Sequence, residues 1–326
     1  MSFFTTLPRP LYATDAFDDF VAGGDFRLGN AKAMIWMSQL AYEAEEPSRP
    51  DIIKSVLASW GLALVDGGMI ANDDTLMLPG VKTRGFVAAG RGATIVAFAG
   101  TDPVVLANWI TDFDAHIGQA QTADGYRIAA AAVAGQVKAA ISAPALANNK
   151  IFVTGHSLGG ALAALSAHQI VGNGAAVTAV YTFGMPRAGS PDFATTQYDP
   201  SLGSCTYRLA QGEDLVPTVA PTEIGFHHLG RYLHCDRGGK FDADALAADT
   251  RSDDPSFVAG VATELSEFLH GPLVAALAAV DHVRVAALLA FGHGPPGART
   301  DLGGIAIETL PPRLRDHMTD RYIGAL

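Results

Sequence analysis

Apolar positions along this chain follow two periods, and the two take turns. Short apolar runs at Thr75–Leu78, Gly85–Ala88 and Ala93–Phe98 read as strands, as do "KIFVTG" from Lys150, "AVTAVYTFG" over 176–184 and "CTYRLA" over Cys205–Ala210. Helical spacing fills the intervals. "NAKAMIWMSQLAYEAEE" carries Met34, Met37 and Ala41 on one face, with Asn30 as its expected N-cap, and "GYRIAAAAVAGQVKAAISA" is a second helix. Alternation of this kind predicts an α/β fold with a mostly parallel central sheet flanked by helices. Residues 1–326 read as a single domain without internal repeats. The stretch 236–297 departs from the pattern: it is rich in Ala, Asp, Gly and Pro and has little strand signal, which predicts a helical cap or insertion. Its most apolar part, Pro272–Phe291, is interrupted by Asp281, His282 and Arg284, so a membrane span is not expected.

The first candidate chemistry lies where a strand meets a helix. Gly155-His156-Ser157-Leu158-Gly159 fits G-x-S-x-G, follows a buried-type strand and precedes an alanine-rich helix. A sharp strand-to-helix turn strains the serine backbone and leaves no room for side chains at the flanking positions. Ser157 would then project its hydroxyl above the sheet, with the Leu158 N–H at the helix start aimed at a developing oxyanion. The plainer alternative is a glycine-rich turn with Ser157 as a helix cap. A catalytic serine needs a base, and the base an orienting acid, in the chain order Ser, Asp or Glu, His. Asp214 in "YRLAQGEDLVPTVAP" follows a strand and suits the acid, although a solvated turn carboxylate looks the same. His317 in "RDHMTDRYIGAL" opens the last helical pattern after Pro311-Pro312 and suits the base. His228 in "FHHLGRYLH" competes with it from a strand-like pattern, where a histidine is more often structural.

Composition narrows the substrate. Of 326 residues, 22 are Lys or Arg and 33 Asp or Glu, for a formal net charge of −11 without a basic run, which excludes a nucleic-acid partner. Cys205 and Cys235 form no disulfide framework or zinc pattern, and idle thiols are the favoured reading. No metal or cofactor is expected. The amino terminus "MSFFTTLPRPLYATDAFDDF" lacks a basic segment followed by an apolar one, so the expectation is a cytoplasmic chain or one exported by a signal-less route.

Taken in order, these motifs resemble the class 3 lipases of the α/β-hydrolase fold, the group that includes the fungal triacylglycerol lipases. "GHSLGGALAAL" is similar to that family's nucleophile region, and "TIVAFAGTD" with "NWITDF" to its oxyanion-strand motif. "TFGMPRAGS" resembles the strand after the nucleophile, "YRLAQGEDLVPTVAP" the acid motif, "HHLGRYL" a later strand whose histidine is not the base, and "DHMTDRYIGAL" the terminal base motif. The resemblance implies Ser157 as nucleophile, Asp214 as acid and His317 as base, with Thr101 and Leu158 supplying the oxyanion hole. It implies a serine ester hydrolase acting on lipid or small-molecule esters at a transient lipid interface, above all a triacylglycerol lipase. The rivals are a phospholipase A1, a short-chain carboxylesterase, a feruloyl-type esterase or an inactive hydrolase-fold binding module. Two departures stand out. Ala99 occupies the place of the family's arginine before Gly-Thr, and the stretch from Asp214 to His317 is longer than the family needs. A lid is expected either from Val104, Val105, Leu106, Trp109 and Ile110 or from the alanine-rich segment between Asp254 and Phe291.

Overall fold

The computed structural model describes residues 5–45, 50–73, 82–103, 105–107, 124–219, 222, 225–246, 307–308 and 310–326. A seven-stranded sheet runs in sequential order: β1 (Ala63–Asn72), β2 (Thr83–Gly90), β3 (Ala93–Phe98), β4 (Lys150–His156), β5 (Val177–Phe183), β6 (Thr206–Gln211) and β7 (Arg231–Cys235). β1, β2 and β3 pair antiparallel, and from β3 to β7 every pairing is parallel. The parallel strands are apolar on both faces because helices cover both. Successive residues of β3 serve opposite cores: Ile95 and Ala97 face one hydrophobic cluster, Val96 and Phe98 the other.

One cluster buries helix α1 (Leu28–Ala41) and the amphipathic α2 (Pro50–Ser59). The other buries α3 (Asp124–Ile141) and α4 (Leu158–Gly172). α1 is buried almost all round, including Ala31, Ile35, Ser38 and Gln39, as expected of a helix lying across the middle of a sheet. It begins two residues before Asn30, which is therefore not its cap. The Asn30 amide instead makes a two-way clamp on Val21, accepting from its N–H and donating to its C=O, each at 2.9 Å. Two short C-terminal helices, α5 (Pro312–Asp316) and α6 (Thr319–Ala325), return the chain to the sheet.

The strands at Gly85–Ala88 and Ala93–Phe98 fall inside β2 and on β3, whereas Thr75–Leu78 lies outside the described residues. β1 carries no clean alternation, because its register shifts between Leu64 and Met69 around Gly67 and Gly68. Of the expected cap, residues 236–246 are described. They run from a turn at Asp236 to one 3-10 turn at Ala243–Ala245, and Phe241 stacks on Tyr322 of α6 at 6.3 Å. The remainder of 236–297, with the Asp254–Phe291 lid candidate, lies outside the described residues, as do Val104, Trp109 and Ile110.

Candidate active site

The carboxyl ends of β3, β4, β5 and β6 lie side by side, since Phe98 pairs with Gly155, His156 with Phe183, and Phe183 with Leu209. The chain leaving each strand there carries Thr101, Ser157, Gly184 and Asp214 in turn, at the strand edge where open α/β sheets present ligand sites.

Ser157 stands between β4 and α4 with φ 58° and ψ −133°, a conformation that costs a non-glycine residue on the order of 1–3 kcal/mol and persists only when its surroundings enforce it. The surroundings are specific. Its N–H donates to the Phe183 carbonyl at 2.8 Å, and its carbonyl accepts from the Gly160 N–H at 2.9 Å. A Cβ on Gly155 would collide with the Gly159 carbonyl, and one on Gly159 would sit 2.6 Å from the carbonyl oxygens of both Phe98 and Ala99. The two glycines thus let strand, turn and helix close on one another, as the motif's steric logic requires. Ser157 is no ordinary cap either, as its side chain makes no capping hydrogen bond.

Asp214 and His317 meet although more than a hundred residues part them. His317 Nδ1 lies 2.8 Å from Asp214 Oδ2 and 2.9 Å from Oδ1, and both residues are buried. The carboxylate also accepts from the Val216 N–H at 2.9 Å and from the Tyr322 hydroxyl at 2.5 Å. With the carboxylate on Nδ1, the proton belongs on that nitrogen, which leaves Nε2 as a lone-pair acceptor. Among the described residues Nε2 has no hydrogen-bond partner, and neither does the fully buried Ser157 Oγ. The two atoms are therefore not bonded to each other in this closed geometry, a looseness common before substrate binds. Gly184, at φ +57°, makes the meeting possible: a Cβ there would stand 2.7 Å from both Asp214 Oδ2 and His317 Nδ1.

His156, the variable position of the pentapeptide, has a place of its own that the motif did not reveal. Its ring lies 4.5 Å from that of His317, Nε2 is 2.5 Å from the His317 carbonyl oxygen, and Nδ1 is 2.7 Å from the Tyr42 hydroxyl. Burial first, and the nearby His317 second, hold its pKa well below the ordinary imidazole value. His156 is thus neutral. Because a carbonyl can only accept, Nε2–H donates to His317 and Nδ1 accepts from Tyr42. His228 lies apart from the acid: it precedes β7, and its Nε2 donates to the Pro217 carbonyl at 3.0 Å. It secures the backbone that follows Asp214 rather than the carboxylate. Burial, then the charges of Arg208 and Arg187, keep it neutral.

Thr101 is buried, its Oγ1 has no partner among the described residues, and it lines a crevice with Tyr42, Pro103, Leu106, His156 and His317 that is too tight to admit a water molecule. The loop before it is held without the family's arginine, for the Ala99 N–H donates to the Arg84 carbonyl at 2.9 Å and so continues the sheet ladder. The chain neighbours of Asp214 and His317 are tied together. Asp316 accepts from the Glu213 N–H at 2.9 Å and pairs with Arg237 at 2.7 Å, and Arg237 reaches Glu213 at 3.0 Å. Cys205 and Cys235 are both free thiols, and burial pushes the latter up to about 12.

Residues 95–224, which hold most of β3, the elbow, β5 and Asp214, match the family model for lipase (class 3). A secreted mono- and diacylglycerol lipase 1 of Fusarium solani is 32% identical over 185 residues, covering 53% of this chain and 54% of that protein. A Rhizomucor miehei lipase is 41% identical over 85 residues, 25% of this chain and 23% of that one. The chain therefore spans about half the length of the first relative and less of the second. Among solved structures, nonglycosylated LIP2 lipase of Yarrowia lipolytica aligns with a TM-score of 0.52 at 19% identity over 72% of this chain and 88% of that one. The Rhizomucor miehei lipase propeptide complex aligns with 0.51 at 22% identity over 72% and 78%. These neighbours share the α/β-hydrolase fold with the sheet described above. Relatives from Fusarium solani and Malassezia globosa are named secreted lipases, which overturns the expectation of a cytoplasmic chain or a signal-less route. That expectation rested on the composition of the amino-terminal residues alone, which does not report the compartment.

Proposed function

We propose that this protein is an exported serine ester hydrolase acting on acylglycerols, with Ser157 as nucleophile, His317 as base and Asp214 as the orienting acid. The observation that carries the reading is the buried His317–Asp214 pair on the same strand edge as a serine held at positive φ. Ser157 attacks the ester carbonyl while His317 Nε2 takes its proton, and Asp214 holds the resulting imidazolium through Nδ1. The tetrahedral oxyanion is received by the backbone N–H groups of Leu158, first residue of α4, and Thr101. His317 then protonates the departing alcohol, and water repeats the attack on the acyl-enzyme.

The apolar acyl preference rests on the class 3 lipase resemblance and on the crevice's apolar cover. Leu106, only 3% exposed, and Pro103 line the crevice beside His317, so substrate entry requires this segment to move. Two measurements test the proposal. A fluorophosphonate should label Ser157 stoichiometrically and abolish hydrolysis. Across a p-nitrophenyl ester series, micelles or emulsion should raise the rate on long acyl chains more than on short ones. Failure of labelling would refute the serine mechanism. A rate that follows monomeric substrate alone would instead identify a carboxylesterase without interfacial opening.

A further inference from the structure

Tyr42 caps the end of α1, on the face of the sheet opposite α4, and its hydroxyl reaches the strand edge where the candidate catalytic groups gather. Three of the segments that carry those groups meet around this hydroxyl and the His156 ring. Gly100, the residue before Thr101, packs so closely that a Cβ on it would collide with the Tyr42 hydroxyl and stand 2.6 Å from the His156 carbonyl oxygen and 2.9 Å from Ser157 Cβ. The His156 ring accepts from Tyr42 at Nδ1, at 2.7 Å, and donates from Nε2 to the His317 carbonyl at 2.5 Å. Both residues are buried. A chain of hydrogen bonds therefore runs from α1 to the main chain of the base, with the Thr101 turn and the Ser157 elbow packed along it.

That chain supplies what the Asp214 contact cannot. The carboxylate holds the His317 ring at Nδ1, but where Nε2 points depends also on where the main chain sets the residue's Cα. His317 stands at the junction of two short helices, α5 of five residues and α6 of seven, so no long helix fixes its backbone. The carbonyl that His156 grips is the one at this junction. The His156 ring also lies 4.5 Å from that of His317. A charge so close would oppose the imidazolium that forms on the base, and His156, buried and neutral, carries none.

We infer that Tyr42 and His156 are a positioning pair, which through the His317 carbonyl sets the direction in which the base presents Nε2 to Ser157. The pair's effect on turnover rests on the hydrolase reading proposed above; its hold on the His317–Asp214 contact does not.

Substitutions at His156 in the full chain separate the tether from the bulk of the ring, because a glutamine amide nitrogen falls near the place of Nε2 and an asparagine one near that of Nδ1. His156→Gln should keep kcat on a soluble short-chain ester within a few-fold of the unaltered protein. His156→Leu, similar in size but without a donor, and His156→Asn should each lower kcat by about tenfold to a hundredfold at unchanged KM. Tyr42→Phe should lower kcat severalfold, since Nδ1 loses the donor that keeps the proton on Nε2. Proton NMR gives a readout independent of turnover. The downfield Nδ1–H resonance of His317 in its bond to Asp214, identified by its absence from His317→Gln, should persist in His156→Gln and broaden or move in His156→Leu. The Tm of each variant reports its folding, and Tyr42→Phe, which removes a single oxygen, carries the test should the His156 variants not fold. Equal kcat in His156→Leu and His156→Gln would overturn the inference by reducing the ring to filling, as would a loss confined to KM or full kcat in Tyr42→Phe. If a fluorophosphonate leaves the unaltered protein unlabelled, the hydrolase reading fails and the resonance alone decides: unchanged in His156→Leu, it overturns the positioning as well.

Discussion

Tyr322 donates its hydroxyl at 2.5 Å to Asp214 Oδ2, the carboxylate oxygen that also lies 2.8 Å from His317 Nδ1. Burial first, and the Asp214 charge second, hold the phenol's pKa well above its ordinary value, so it remains a donor throughout the working pH range. A hydrogen bond to a charged group is worth about 1.5–3 kcal/mol. Tyr322→Phe should therefore lower kcat/KM by roughly tenfold to a hundredfold on the proposed mechanism. Without this donor the carboxylate is free to turn away from His317 Nδ1, so the loss should fall on kcat rather than on KM. A lowered Tm with kcat unchanged would make Tyr322 a packing residue only.

Ser157→Ala and His317→Ala should each lower turnover to about the same level, roughly a millionfold below the unaltered protein, because members of a catalytic unit do not contribute additively. His228→Ala, which loses only a bond to the Pro217 carbonyl, should lose far less. Steady-state kinetics on one soluble ester would check the ranking, and an inverted order would move the base to His228.

Gly184→Ala places a methyl group 2.7 Å from Asp214 Oδ2 and His317 Nδ1 at a residue whose φ is +57°. The left-handed conformation alone costs an L-residue about 1–2 kcal/mol. The expected outcome is a Tm lowered by a few degrees together with a drop in kcat larger than tenfold, since the added carbon displaces the dyad itself. Equal hydrolysis at unchanged Tm would show that the dyad has room the geometry denies.

Stability should fall on the acid side. His156 and His228 are buried and neutral, with folded pKa values well below the ordinary value near 6.5. A depressed histidine binds fewer protons folded than unfolded. Its contribution is therefore fully present above about pH 6.5 and is lost as the pH falls below it, at up to about 1.4 kcal/mol per pH unit for each group. Tm measured from pH 8 to pH 5 should decline below 6.5, and His228→Gln should flatten that decline. A Tm independent of pH in this window would contradict the burial of both rings.

Local signals carried much of this architecture. Strands β2 to β6, helices α1, α3 and α4 and the elbow at Ser157 were legible because each has its own period or turn chemistry within a short window, and burial on both faces of a parallel sheet writes continuous apolar runs. The class of the fold followed from their alternation, and the order of Ser157, Asp214 and His317 pointed to a hydrolase. β1 was missed because a register shift at Gly67–Gly68 breaks its alternation. Asn30 was misread as a cap because an N-cap and a mid-helix loop clamp use the same side chain, and only the position of Val21 tells them apart.

Pairings between distant segments belonged to the tertiary structure alone. No spacing rule joins Asp214 to Tyr322, Glu213 to Asp316 and Arg237, or His156 to Tyr42 and the His317 carbonyl, since each contact closes a long loop through the packing of whole elements. The choice of His317 over His228, which the family resemblance already implied, has its physical cause in the tertiary structure. Both follow the acid in the chain, but only the return of α5 and α6 to the sheet delivers an imidazole to that carboxylate, while β7 carries the other to the Pro217 carbonyl. Residue type and period set which groups are available and which local turns they form, and the strand order decides which of those groups meet.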